Sequence, residues 1–146
     1  MGGCQEEDIQ GKPFVGKSGK LLDKLIDQEM GMSRDEIYIT NVIKCRPPQN
    51  RNPMQDEIEL CRHFLFDQLK YINPRVIVTL GNFAAQLLLN TKTGINQLRT
   101  KIYNIDFGFL IPTFHPAYAL RGGPTIVAKM RADLARAKEL LNSSEL

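Results

Sequence analysis

Three short apolar runs, rich in β-branched residues, constrain the fold of this chain more than any other feature. They lie at residues 37–43, 75–80 and 109–114, and the segments around them carry apolar stripes of helical spacing. Runs that are apolar at nearly every position indicate strands buried on both faces. Strands that alternate with amphipathic helices predict a sheet covered on both sides. We therefore expect an α/β fold with three layers, α/β/α, around a central parallel sheet.

Periodic apolar residues and end signals predict the helices. One helix covers residues 21–30 and ends near Gly31, and Ser33 with Glu36 has the spacing of a capping box around a single turn. Longer stripes predict helices at 53–72, 83–89 and 126–141. Residues 91–108 are mixed, with a weak strand or hairpin around 101–105, and their structure stays open.

Length, composition and charge limit the class of protein. The 146 residues are 42% hydrophobic and 24% charged, which fits one globular domain spanning residues 1–146. No apolar run reaches the roughly 18 residues of a membrane span, and the first ten residues lack the features of a signal peptide. The net charge of +3 permits a polyanionic partner without requiring one. We expect a cytoplasmic monomer.

Ligand chemistry in such folds gathers beyond the carboxyl ends of the strands. Here that rule selects three segments: residues 41–48, 81–82 and 114–121. Each of them carries polar or conformationally restricted residues, so each is a candidate part of one site.

Four sequence motifs indicate a family. Residues 11–16 read GKPFVG, residues 39–53 read ITNVIKCRPPQNRNP, residues 78–81 read VTLG, and residues 112–121 read PTFHPAYALR. In this order they resemble the family 4 uracil-DNA glycosylases, the iron-sulfur members of the uracil-DNA glycosylase superfamily. The resemblance runs from about residue 5 to residue 134. It implies excision of uracil from DNA by hydrolysis of the N-glycosidic bond, which leaves an abasic site.

The resemblance also assigns three residues to the uracil site. An enzyme that acts on a base must flip it out of the stack and hold it by an aromatic face and hydrogen bonds. Phe14 is assigned to stacking, Asn41 to reading the pairing edge, and His115 to catalysis, as a donor to a uracil oxygen as negative charge develops. By residue type alone, Phe14 would be a core residue and Asn41 a turn residue.

The segment after His115 resembles the loop by which this superfamily enters the minor groove. Pro116, Leu120 and Arg121 are the DNA-binding candidates, and Arg121 can also meet a phosphate. The ordinary structural explanations are packing for Leu120 and a solvated charge for Arg121.

Cys45 and Cys61 are assigned by the resemblance as ligands of a [4Fe–4S] cluster, which takes four thiolates. In the family the other two come from an upstream CxxC motif, which this sequence does not contain. Cys4, the third cysteine, is better explained as a plain thiol. Without the resemblance, Cys45 and Cys61 would be inert buried thiols.

The sequence departs from the family at its start, where residues 1–4 read MGGC in place of a strand and a Gly-Glu-Ala-Pro-Gly motif. The acidic residue that this motif would use on the attacking water is therefore missing, and the first strand of the sheet is expected to be absent. A second departure is at residues 98–100, Leu-Arg-Thr, where the family commonly has Arg-Gly.

Two alternatives follow from these departures. One is an inactive or truncated remnant that retains the site residues and acts at most as a DNA-binding module. The other is a nucleotide-handling α/β protein with no role on DNA, although residue 81 lacks the surrounding glycines of a phosphate-binding fingerprint.

Overall fold

The computed structural model describes residues 16–39 and 55–142, and within them the chain forms six α-helices and three strands. In chain order these are α1 (Lys17–Leu25), α2 (Gln55–Ile72), β1 (Val76–Leu80), α3 (Asn82–Leu89), α4 (Ile95–Leu98), β2 (Tyr103–Ile105), β3 (Gly108–Thr113), α5 (Pro116–Gly122) and α6 (Pro124–Asn142). The helices predicted at 21–30, 53–72, 83–89 and 126–141 are all confirmed, with bounds that differ by a few residues.

The first helix ends as its sequence predicts. After α1 the chain continues as a π-helical turn, Ile26–Met30, and stops at Gly31 in the left-handed conformation. The Lys138 ammonium of α6 donates to the Met30 carbonyl at 2.8 Å, which satisfies one of the carbonyls exposed at the helix end. The predicted single turn follows as the 3₁₀-helix Arg34–Glu36, where the Ser33 N–H donates to Glu36 Oε1 at 3.1 Å.

The described sheet has the strand order β1-β3-β2. Strands β1 and β3 are parallel, with Val76 opposite Phe109 and Leu80 opposite Thr113. The central pair is parallel as predicted, and the added strand β2 is antiparallel to β3, so the described sheet is mixed. The reason is local: two residues separate β2 from β3, which is enough for a hairpin but far too few for a parallel crossover. The stretch that the sequence left open thus contains β2, the first strand of a β2–β3 hairpin.

The first predicted strand, at residues 37–43, lies only partly within the described residues. Residues 37–39 belong to no strand of the described sheet, although Ile37 and Ile39 pack against the core. Residues 40–43 lie outside the described part of the chain.

Adjacent residues of β3 show that helices cover both faces of the sheet. Ile111 packs in a cluster with side chains of α1, α5 and α6, whereas Leu110 packs with Leu65 and Leu69 of α2. Successive side chains of a strand point to opposite faces, so these clusters are two separate cores. The predicted three-layer α/β/α arrangement is confirmed. None of the described helices is long and apolar enough to cross a membrane.

Candidate active site

The carboxyl ends of β1 and β3 meet at one edge of the sheet. Because the two strands are parallel and in register, Gly81 directly after β1 lies beside Thr113 at the end of β3, and its N–H donates to the Thr113 carbonyl at 2.9 Å. The structure thus brings together two of the three segments that the sheet-edge rule selected, residues 81–82 and 114–121. The third, residues 41–48, lies outside the described part of the chain.

His115 occupies the centre of this edge. It is the N-cap of α5, and its Nδ1 accepts a hydrogen bond from the Ala117 N–H at 3.0 Å. Burial lowers the pKa of His115 from 6.5 to about 4, and positive charges, among them that of Arg121, act in the same direction. The ring is therefore neutral at pH 7. Since Nδ1 accepts, the proton is on Nε2, which makes Nε2 a hydrogen-bond donor.

Gly81 holds the His115 side chain from the neighbouring strand. Its backbone has φ +90° and ψ 178°, a conformation that only glycine adopts readily. A Cβ placed on Gly81 would lie 3.1 Å from His115 Cβ and 3.6 Å from Cδ2. The imidazole therefore packs directly over this glycine. The sheet-edge rule selected residues 81–82 as a candidate part of the site, but no local sequence pattern indicated that Gly81 contacts the His115 side chain.

A buried polar cluster stands behind the same edge. Asp133 of α6 is fully buried, and its carboxylate accepts hydrogen bonds from the Thr113 hydroxyl and the Arg99 guanidinium. No sequence motif assigned a functional role to Asp133 or Arg99. The available signal was an acidic residue on the apolar stripe of α6, three residues after Met130 and one before Leu134.

The predicted DNA-binding residues on helix α5 differ in their exposure to solvent. Leu120 and Arg121 are exposed, and so is Tyr118, whose ring centroid lies 5.3 Å from that of Phe114. Pro116 is buried at the first helical position, where its fixed φ and missing N–H suit the start of a helix. Leu120 and Arg121 lie five and six residues after His115, and these two exposed side chains give the helix a surface that can contact an opened duplex.

Three of the predicted site residues lie outside the described part of the chain: Phe14, Asn41 and Cys45. Phe14 precedes α1, which packs against α5, and Asn41 follows Ile39, which packs against the core. His63, the second histidine, is exposed on α2, as expected from its place outside the apolar stripe.

Cys61 gives a test of whether the described residues can hold an iron-sulfur cluster. Its side chain is 2% exposed and packs with Leu65, Leu69 and Leu110 on one face of the sheet. The 146 residues contain three cysteines, and a [4Fe–4S] cluster takes four thiolates. Across residues 16–39 and 55–142, no three His, Cys, Asp or Glu side chains come close enough to share a metal. The residues present do not make up the ligand set, so no catalytic step below depends on a cluster.

Comparison with known proteins identifies the family of this chain. Residues 3–137 match a family model described as the Uracil DNA glycosylase superfamily. The Type-4 uracil-DNA glycosylase of Saccharolobus solfataricus is 43% identical over 150 residues, covering 97% of this chain and 69% of that protein. The Type-4 enzyme of Thermotoga maritima is 41% identical over 94% of this chain and 72% of its own length. That of Archaeoglobus fulgidus is 39% identical over 97% of this chain and 74% of its own length.

Proposed function

This chain belongs to the uracil-DNA glycosylase superfamily, and we propose that it excises uracil from DNA in base excision repair. In the reaction the bond between uracil N1 and the deoxyribose C1′ breaks, and its electrons pass to the base. Water adds to C1′ and releases a proton to solvent, so the products are an abasic site, a uracil anion and a proton. The protein must therefore stabilise negative charge on the leaving base.

The observation that carries the proposal is the place of His115, directly after β3 at the edge where β1 and β3 both end. Its Nδ1 accepts from the Ala117 N–H, and burial lowers its pKa to about 4, which together favour a neutral ring with the proton on Nε2. A neutral imidazole donates a hydrogen bond without losing its proton to the leaving base. This hydrogen bond becomes stronger as the uracil oxygen becomes negative. His115 is thus suited to be the electrophilic group of the site.

The remaining site residues belong to the same proposal. Phe14 stacks on the flipped base, and Asn41 pairs with its N–H and C=O, which refuses cytosine because cytosine presents a different pattern of donors and acceptors. Leu120 and Arg121 contact the DNA from α5, where both are exposed, and Pro116 fixes the start of that helix.

The proposal extends to the cofactor, the oligomeric state and the cellular compartment. Cys45 and Cys61 are proposed as two thiolates toward a [4Fe–4S] cluster, whose other ligands this sequence does not supply. We also propose that the protein works as a monomer in the cytoplasm.

Excision from a defined oligonucleotide tests the function. A labelled duplex with a single deoxyuridine is incubated with the protein and then treated with alkali, which cleaves the strand at an abasic site. We expect cleavage at that position only, and a matched duplex with thymidine or deoxycytidine should stay intact.

His115→Ala should slow excision by roughly 10²-fold or more, because it removes a hydrogen bond that strengthens in the transition state. His63→Ala is the matched control, since it removes the other histidine from an exposed position. DNA binding without cleavage by the wild-type protein would instead support the noncatalytic alternative, and equal excision by both variants would remove His115 from the site.

A further inference from the structure

We infer that Asp133 is a positioning residue for His115, acting through Thr113 and Arg99. The consequence for catalysis rests on the proposed function, whereas the effect on the imidazole itself does not. Four hydrogen-bond donors converge on the carboxylate of Asp133, which is fully buried.

The hydrogen bonds of Asp133 use both of its oxygens. Oδ2 accepts from the Thr113 hydroxyl at 2.6 Å and from Arg99 Nε at 3.0 Å. Oδ1 accepts from Arg99 Nη2 at 3.0 Å and from Arg136 Nη2. The Arg99 contact is thus bidentate, the strongest and most directional geometry for this pair.

Arg99 is itself fixed in place. Its carbonyl accepts a hydrogen bond from Arg136 Nη2 at 2.7 Å, and its guanidinium lies 5.4 Å from the centre of the Phe114 ring. Burying a carboxylate without hydrogen-bond partners costs much free energy. The bonds to Asp133 therefore fix the position of α6 relative to Arg99, which follows α4, and to Thr113 at the end of β3. Moving any of these partners away leaves a charge buried and unpaired.

Asp133 and Arg99 contact the two residues that precede His115. Thr113 is held by its hydroxyl to Asp133 and by its carbonyl to the Gly81 N–H. Phe114 is 1% exposed, and the Arg99 guanidinium lies over its ring. His115 follows directly, with its side chain against Gly81. Because the chain is fixed at these two successive residues, the His115 imidazole has little freedom to move away from the position where it would contact a base.

Asp133 does not touch His115 in these contacts, so its role differs from that of a catalytic group. A catalytic geometry that is off by a few tenths of an ångström loses rate without losing the fold. The proposal therefore predicts a defect that depends on His115 being present.

A double-mutant cycle tests that dependence. Thr113→Val removes one hydrogen bond and leaves the Arg99 pair intact. We expect it to slow single-turnover excision about tenfold in the wild-type background and less than about twofold when His115 is already alanine. An equal loss in both backgrounds would mean that Thr113 serves the fold in general, and would overturn the inference.

Asp133→Asn is the more severe variant, because the arginines lose their counter-charge. It should show the same dependence on His115 with a larger loss in the wild-type background. Because this variant can also fail to fold, Thr113→Val carries the test alone if Asp133→Asn does not give a cooperative unfolding transition.

Thr79→Val is the matched control. Thr79 is also a buried threonine, on β1 opposite Pro112, and its hydroxyl has no hydrogen-bond partner in the described structure. The same substitution there removes a hydroxyl without removing a hydrogen bond, and should leave excision within about twofold of wild type.

Nitrogen NMR of the histidine rings gives a readout that does not need activity. The chain has two histidines, so a His63→Gln variant assigns the His115 signals. In the wild-type protein we expect the His115 ring to be protonated on Nε2. In the Thr113→Val variant we expect the His115 ring to show a mixture of tautomers, or exchange between two positions of the side chain. Unchanged His115 signals in Thr113→Val would overturn the inference. If the wild-type protein does not excise uracil, the proposed function fails, and this measurement still decides the role of Thr113 and Asp133.

Discussion

Gly81→Ala should damage the fold and the site together, and both effects can be worked out from the backbone. Gly81 has φ +90° and ψ 178°, where a residue with a Cβ costs roughly 1–3 kcal/mol. The new Cβ would also lie 3.1 Å from His115 Cβ, closer than the separation of about 3.5–4.0 Å that carbon atoms prefer. The His115 side chain would have to move by several tenths of an ångström.

Two other glycines separate these effects. Gly123 has nearly the same backbone, φ +80° and ψ −167°, but a Cβ there meets nothing within 4 Å. Gly94 has φ −76° and also has open space around it. The effect of Gly123→Ala therefore measures the cost of backbone strain alone. Gly94→Ala introduces neither backbone strain nor a close contact with a neighbouring atom, so it is the control.

Urea denaturation of the three variants gives the comparison, because the free energy of unfolding extrapolates linearly to water. We expect Gly94→Ala to change it by less than about 1 kcal/mol and Gly123→Ala to lower it by roughly 1–3 kcal/mol. Gly81→Ala should lower it by about 1 kcal/mol more than Gly123→Ala, from the forced contact with His115. Excision should fall roughly tenfold in Gly81→Ala and stay within about twofold in Gly94→Ala.

If Gly81→Ala is no less stable than Gly123→Ala and excises uracil at the wild-type rate, then Gly81 does not pack against the His115 imidazole in the way that the distances indicate.

The remaining predictions concern pH and iron. The pKa of His115 is lowered from 6.5 to about 4 in the folded protein, so between these values the unfolded chain binds a proton that the folded chain does not. Stability should therefore fall as the pH drops from 6.5 toward 4, with no contribution from His115 above 6.5. Urea denaturation at pH 7 and pH 5 checks this, and a His115→Ala variant with the same loss would contradict it. For iron, we expect the 146-residue chain purified without oxygen to lack a stoichiometric [4Fe–4S] cluster, because it has three cysteines and Cys61 packs among leucines. Iron and sulfide analysis with a visible spectrum checks that expectation, and four irons per chain would contradict it.

The order of helices and strands could be predicted from the sequence because the signals for it are local. Apolar spacing over a few turns predicts α2 at 53–72, where the structure has Gln55–Ile72, and the apolar run at 75–80 predicts β1 at Val76–Leu80. Motif resemblance likewise assigned His115, and the sheet-edge rule placed it at the end of a strand. Each of these inferences uses residues that are neighbours in the chain.

The contacts that position His115, and the protonation form of its ring, depend on residues that are far apart in the chain. The Thr113 hydroxyl meets a carboxylate 20 residues away and Arg99 meets the same carboxylate across 34 residues, so no local pattern predicts either bond. The imidazole is neutral because burial removes water from it, and burial depends on how several elements pack around it. The direction of β2 was also open, since a three-residue strand carries too weak a pattern to indicate its partner. Pairing, burial and charge contact all join residues distant in sequence, and the fold alone brings them together.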